Sequence, residues 1–152
     1  MVKFALAALL ATASLVGFSP AFAADWLTTY ESKAPFADVL ADLEDAIINR
    51  GYIVDYRGNV AEMLSRTAGD VGASKTLYKD AGFLQFCSAT VSRSAMEADV
   101  ANIGFCPYVL FAYEAETKPG TVTVGFRRLP DGDGRDGVNT LLDEMVREAS
   151  GQ

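Results

Sequence analysis

The chain has 152 residues, 13 basic against 20 acidic, a net charge of −7, and no histidine. The missing histidine excludes Ser-His-Asp and Cys-His catalysis, HExxH zinc sites, CxxCH haem attachment and His-based metal triads. The acidic balance excludes a role on nucleic-acid phosphates, whose affinity comes from Lys and Arg, and argues equally against anionic membrane surfaces.

Residues 1–23 read as a cleavable signal peptide. Met1-Val2-Lys3 is a short positive start, Phe4 to Phe18 is almost entirely small or apolar, and Ser19-Pro20 breaks that run ahead of Ala21-Phe22-Ala23. The apolar run is shorter than the roughly 20 residues a membrane span needs. Cleavage after Ala23 leaves 129 residues, the length of one domain, and losing Lys3 takes the balance to −8. The expected compartment is therefore the periplasm, with no membrane contact after cleavage and no nucleic-acid partner.

Trp26 to Glu31 reads as a first strand. Pro35 opens a helix whose apolar residues Phe36, Val39, Leu40, Leu43 and Ile47 form one stripe, with Gly51 as C-cap. Tyr52 to Tyr56 reads as a strand. Asn59 with Glu62 is a capping-box-like start for a short helix carrying Val60, Met63, Leu64 and Thr67 on one side. Residues 68–81 read as irregular or a single helical turn, and Phe83 to Cys87 as a third strand. The segment 90–101 reads as a helix. Tyr108 to Glu114 and Thr121 to Arg127 form a hairpin through Lys118-Pro119-Gly120, and the alternation of Val122, Val124 and Phe126 with polar neighbours gives the second strand one wet face. A Gly/Asp loop leads to a last helix over 137–150, with the stripe Val138, Leu141, Leu142, Met145, Val146 and Ala149 and Asp136 as N-cap. The order β-α-β-α-β-α-β-β-α fits an α+β domain: a single, mainly antiparallel sheet with helices on one face. The last helix packs either on that core or on a second subunit.

Few residues carry chemistry. Cys87 ends the third strand and Cys106 starts the fourth. Were the helix between them a full βαβ crossover, the strands would be parallel and the cysteines too far apart to bridge; antiparallel strands put both at one end. A structural disulfide, two separate buried thiols, and a redox or metal-thiolate pair all stay open. Met96 joins Cys87 and Cys106 as a weak soft-metal candidate, against the plainer reading of a core methionine. Asp131 to Gly137 resembles the start of a calcium loop, but Arg135, Asp136 and Leu142 occupy positions where an EF-hand needs other residues, so an exposed turn is the simpler reading. Arg127 and Arg128 offer a small anion site or are plain surface arginines, and register puts them at the far end of the hairpin from Glu114.

Phe36…Leu40…Leu43…Ile47…Gly51-Tyr52, then Phe86-Cys87-Ser88-Ala89, Met96-Glu97-Ala98-Asp99, Phe105-Cys106-Pro107-Tyr108 and Tyr113-Glu114 resemble the domain-of-unknown-function 302 family, in particular its exported bacterial members. The resemblance covers about residues 26–130, and its most specific element is Cys-Pro followed by a strand ending Tyr-Glu. Many relatives carry a His in the helix after the first Cys; Arg93 stands in that region here, so no role of that His transfers. The resemblance implies a small α+β domain, often a homodimer, with no established activity, cofactor or catalytic residues. It marks Cys87, Cys106, Pro107, Tyr113 and Glu114 as special positions.

Two functional readings follow. One is a non-enzymatic binding or interaction module, without cofactor, for a small molecule or protein. The alternative is a thiol- or metal-dependent protein centred on Cys87 and Cys106.

Overall fold

The computed structural model describes residues 26–152; the signal-peptide reading of 1–23 lies outside them. The elements are β1 (Leu27–Ser32), α1 (Phe36–Ile48), β2 (Val54–Asn59), α2 (Val60–Thr67), β3 (Tyr78–Phe86), α3 (Ala89–Ala98), a 3-10 segment (Val100–Phe105), β4 (Tyr108–Ala115), β5 (Val122–Arg127) and α4 (Asp136–Ser150). The five strands form one sheet in the order β1-β5-β4-β3-β2, and every neighbouring pair is antiparallel. The α+β layout and element order are those expected from the sequence.

The pleat sorts β4 into two faces. Tyr108, Leu110, Ala112 and Glu114 are buried, while Val109, Phe111 and Tyr113 are only partly covered. Val122, Val124 and Phe126 of β5 and Leu84 and Phe86 of β3 lie opposite the buried set and continue its face. Against it pack Val39, Leu43, Ala46 and Ile47 of α1 and Val138, Leu142, Met145, Val146 and Ala149 of α4. Each fully buried Leu, Val or Phe contributes about 1.5–3 kcal/mol. An exposed ion pair such as Arg93–Glu97 adds about 0–1 kcal/mol, so this one-sided core decides the fold. The last helix packs on its own sheet.

Several local features follow from single residues. Asn59 accepts the Glu62 N–H with its side chain, as the capping-box pattern predicts. Gly51, at φ +79°, makes the reversal after α1 that a side chain would resist. Asp136 is the first residue of α4 rather than its N-cap, because its carboxylate turns back to accept the Gly132 N–H. The segment expected to be irregular up to 81 becomes strand from Tyr78: polar Lys79 and Asp80 hide the period, and a register shift beside them interrupts the ladder. The helix expected over 90–101 ends at Ala98, where Asp99 leaves helical conformation and its side chain caps the 3-10 segment through the Ala101 N–H.

Candidate functional site

Antiparallel β3 and β4 settle the cysteine geometry. Phe86 pairs with Tyr108, so the residues flanking that pair, Cys87 and Cys106, leave the sheet at the same end. Their Cα atoms are 6.0 Å apart and their sulfurs are in bonding contact, inside the range a disulfide spans. Both residues are half-buried, and the Cys106–Pro107 peptide is cis. Each sulfur is committed to the other, so a soft metal on Cys87, Met96 and Cys106 would require prior reduction. Beside the bridge, Ser92 and Tyr108 hydroxyls bond at 2.9 Å, and burial pushes the Tyr108 phenol upward although the Ser92 bond opposes the shift.

Tyr113 and Glu114 stand at the other end of β4, roughly 20 Å away at ~3.3 Å per residue. They also face opposite sides of the sheet. The five positions marked by the sequence therefore do not converge. Glu114 is buried, and its Oε1 accepts the Gly120 N–H at 2.8 Å while both carboxylate oxygens accept from Lys79 Nζ at 3.2 Å. The Gly120 N–H, then Lys79, holds its carboxyl below the ordinary range. Its ionic partner is Lys79 and not an arginine, as strand register required. Tyr113 lies on the uncovered face, edge-on to Tyr78 at 5.5 Å and stacked with Phe111 at 6.3 Å.

The calcium-like loop holds a guanidinium where a cation would sit. Arg135 donates to the Pro130 and Asp131 carbonyls, to Asp133 Oδ2 and to Asn102 Oδ1, all at 2.7–3.1 Å. Asn102 is buried and bonds the Ala95 and Asp133 carbonyls, tying α3 to this loop. Of the candidate anion pair, Arg128 meets Asp131.

A concave feature of the surface lies where the sequence offered no motif. A cleft of about 650 Å³ runs between α2, the segment 68–77 and the start of β3. Leu64, Val71, Leu77 and Tyr78 supply apolar walls, and Glu62 and Lys75 supply charge. None of the α2 residues is buried, and beyond that helix Val71 is 74% and Leu77 49% exposed. Apolar residues left largely in water are the signal sequence reading missed, since in a string of letters an apolar residue on a short helix looks like core.

No protein-family model matches the chain, and no curated protein matches it. Among solved structures, the crystal structure of an uncharacterized conserved protein, DUF302, from Bacillus stearothermophilus is similar at a TM-score of 0.66 and 15% identity, over 83% of this chain and 99% of that one. The chain therefore has the fold of that DUF302 protein.

Proposed function

We propose that the protein is an exported, non-enzymatic module that binds a small amphipathic molecule in the cleft between α2 and β3. The observation that carries this reading is the cleft's combination of size and lining. About 650 Å³ is within the range of small-molecule sites, and it pairs apolar walls with a few polar groups. Leaving Leu64 and Leu77 in water costs free energy that a ligand returns. Export is supported by the N-terminal pattern Lys3, apolar run and Ala21-Phe22-Ala23. The test is thermal denaturation across a broad metabolite panel, with Leu64→Asp and Leu77→Asp as controls. A ligand raises the melting temperature of the wild type and of neither variant. A panel without one stabilising compound, or stabilisation retained in both variants, rejects the cleft as the site.

A second reading, thiol-dependent function at Cys87 and Cys106, is favoured by the half-buried position of both residues. Thiol titration under graded reductant tests it. A bridge that opens under mild reductant supports exchange chemistry; one that resists has a structural role.

A further inference from the structure

The charge lining the cleft between α2 and β3 is one-sided. Glu62, Asp80 and Glu116 stand there against Lys75 and Lys79. Lys79 is already committed: both oxygens of Glu114 accept from its Nζ at 3.2 Å. Glu114 is buried, so an anion that recruited Lys79 would leave that carboxylate with only the Gly120 N–H, and an unpaired buried charge is costly. Lys75 is then the uncommitted ammonium of the lining. Glu62, Asp80 and Glu116 form no ion pair among the described residues.

The N-terminus of α2 also borders the cleft, and a helix N-terminus draws anions. Here it is already answered. Asn59 Oδ1 accepts the Glu62 N–H, and the Glu62 carboxylate sits in the same first turn. Nothing else in the lining favours a negative ligand.

We propose that the ligand class of this cleft is an organic cation, an ammonium group on a short apolar body; this rests on the cleft being the binding site and names the chemistry it selects. Charge complementarity chooses the head group. Glu62 and Glu116 are exposed and Asp80 is half-buried, so an ammonium meets them without losing all its water. Leu64, Val71 and Leu77 cover the body. Tyr78 lines the cleft as well, and an aromatic face attracts cations.

Head-group and body sites are adjacent by construction. Glu62 and Leu64 lie on the same short helix, and the Glu116 N–H donates to the Leu77 carbonyl at 3.0 Å. The carboxylates of α1 and α4 lack this pairing, since the apolar stripes of those helices pack on the core. The net charge of −7 draws cations to the whole molecule; the apolar walls single out the cleft.

Hexylammonium, hexanol and hexanoate share one apolar body and differ in charge. Two-dimensional amide NMR titration of the purified protein with each probe reads both affinity and place. Hexylammonium is expected to shift the amides of Leu64, Leu77 and Tyr78 and to half-saturate roughly fivefold below hexanol, with hexanoate weaker still. Added salt should erase that ratio. Glu62→Gln and Glu116→Gln, both at exposed positions, should each weaken hexylammonium and leave hexanol unchanged. Hexanol or hexanoate binding as tightly as hexylammonium overturns the cation assignment and leaves the cleft standing as a site. Hexylammonium binding indifferent to both glutamate variants, or shifts confined to α1 and α4, also overturns it. Three probes that leave the cleft amides unmoved overturn this inference and the cleft together.

Discussion

Glu114 accepts the backbone N–H of Gly120 at 2.8 Å from inside the sheet, so the β4–β5 turn is closed by a buried carboxylate. Lys79 covers the same carboxylate from β3. One residue thus ties three strands at the end of the sheet away from the disulfide. The Tyr-Glu ending of β4 is explained as architecture: Tyr113 faces outward, and Glu114 holds the turn.

That arrangement sets a pH dependence. The Gly120 N–H and Lys79 depress the Glu114 carboxyl, so its contribution to stability is present above the ordinary carboxylate range and is lost as pH falls through the depressed folded-state value. Glu114→Gln is expected to lower the melting temperature at neutral pH and to make the acid limb of the stability curve shallower. Urea unfolding of both proteins from neutral to acid pH measures this. The limb does not vanish, since Glu31, Glu44 and Asp143 are also depressed. Identical acid limbs in the two proteins would remove Glu114 from the account.

The bridge at the opposite end makes a separate prediction. Cys87 and Cys106 are 19 residues apart in sequence, and closing a loop of that length stabilises by about 3 kcal/mol through the unfolded chain. The Cys87→Ala/Cys106→Ala double variant is expected to lose about that much in urea unfolding under non-reducing conditions. Reductant should bring the wild type toward the variant without moving the variant itself. A variant as stable as the wild type would mean that the thiols do not pair in the purified protein.

The fold was legible where period and capping agreed. The stripes of α1 and α4, the Asn59 cap and the alternation of β5 each reflect physics local to a few residues. The start of β3 was hidden because Lys79 and Asp80 serve long-range or irregular roles that no local pattern encodes. The cysteine geometry depended on whether two strands ran parallel, which residues 87–106 alone do not decide. Asn102 and Asn139 were invisible for a similar reason. Asn139 bonds both the N–H and the carbonyl of Leu129 at 2.9 Å, a bond pair made ten residues away. Likewise, Phe111 and Tyr113, on the partly covered face of β4, read as ordinary strand residues until the core was placed on the other face.

Tyr30 joins the edge strand β1 to α4. Its hydroxyl donates to Asp143 Oδ1 at 2.6 Å, Arg147 donates to Asp143 Oδ2 at 2.8 Å, and the Arg147 guanidinium lies 4.6 Å from the Tyr30 ring centre. Burial, then the Asp143 bond, raises the Tyr30 phenol above its usual value. A phenol raised in the folded state contributes stability that is present below the ordinary tyrosine range and fades as pH climbs through the raised value. Tyr30→Phe is expected to cost about 1 kcal/mol at neutral pH and to reduce the alkaline fall in stability. Tyr108 is also raised by burial, so the rest of that fall should yield to the Tyr30→Phe/Tyr108→Phe double variant. Urea unfolding from neutral to strongly alkaline pH, with absorbance titration of the phenols, separates the two contributions. A single variant with the full wild-type alkaline fall would assign the whole effect to Tyr108.

Gly125 stands between Phe111 of β4 and Thr29 of β1, and it has no room for a side chain. A Cβ there would meet the Thr28 carbonyl oxygen, Thr29 Cγ2 and the Phe111 ring at under 3 Å. The first obstacle is backbone of the neighbouring strand and cannot turn aside as a side-chain tip would. Gly125→Ala must therefore push β1 away from β5 or tilt the Phe111 ring off the sheet. Either change costs about 1–3 kcal/mol, the usual range for overpacking. Gly125→Ala is expected to be less stable in urea unfolding by that amount. Gly51→Ala offers a contrast: its φ of +79° makes the substitution strained, but a Cβ there meets nothing within 4 Å. It should lose stability through backbone strain alone, about 1 kcal/mol. A Gly125→Ala protein as stable as the wild type would mean that β1 and the Phe111 ring give way without cost.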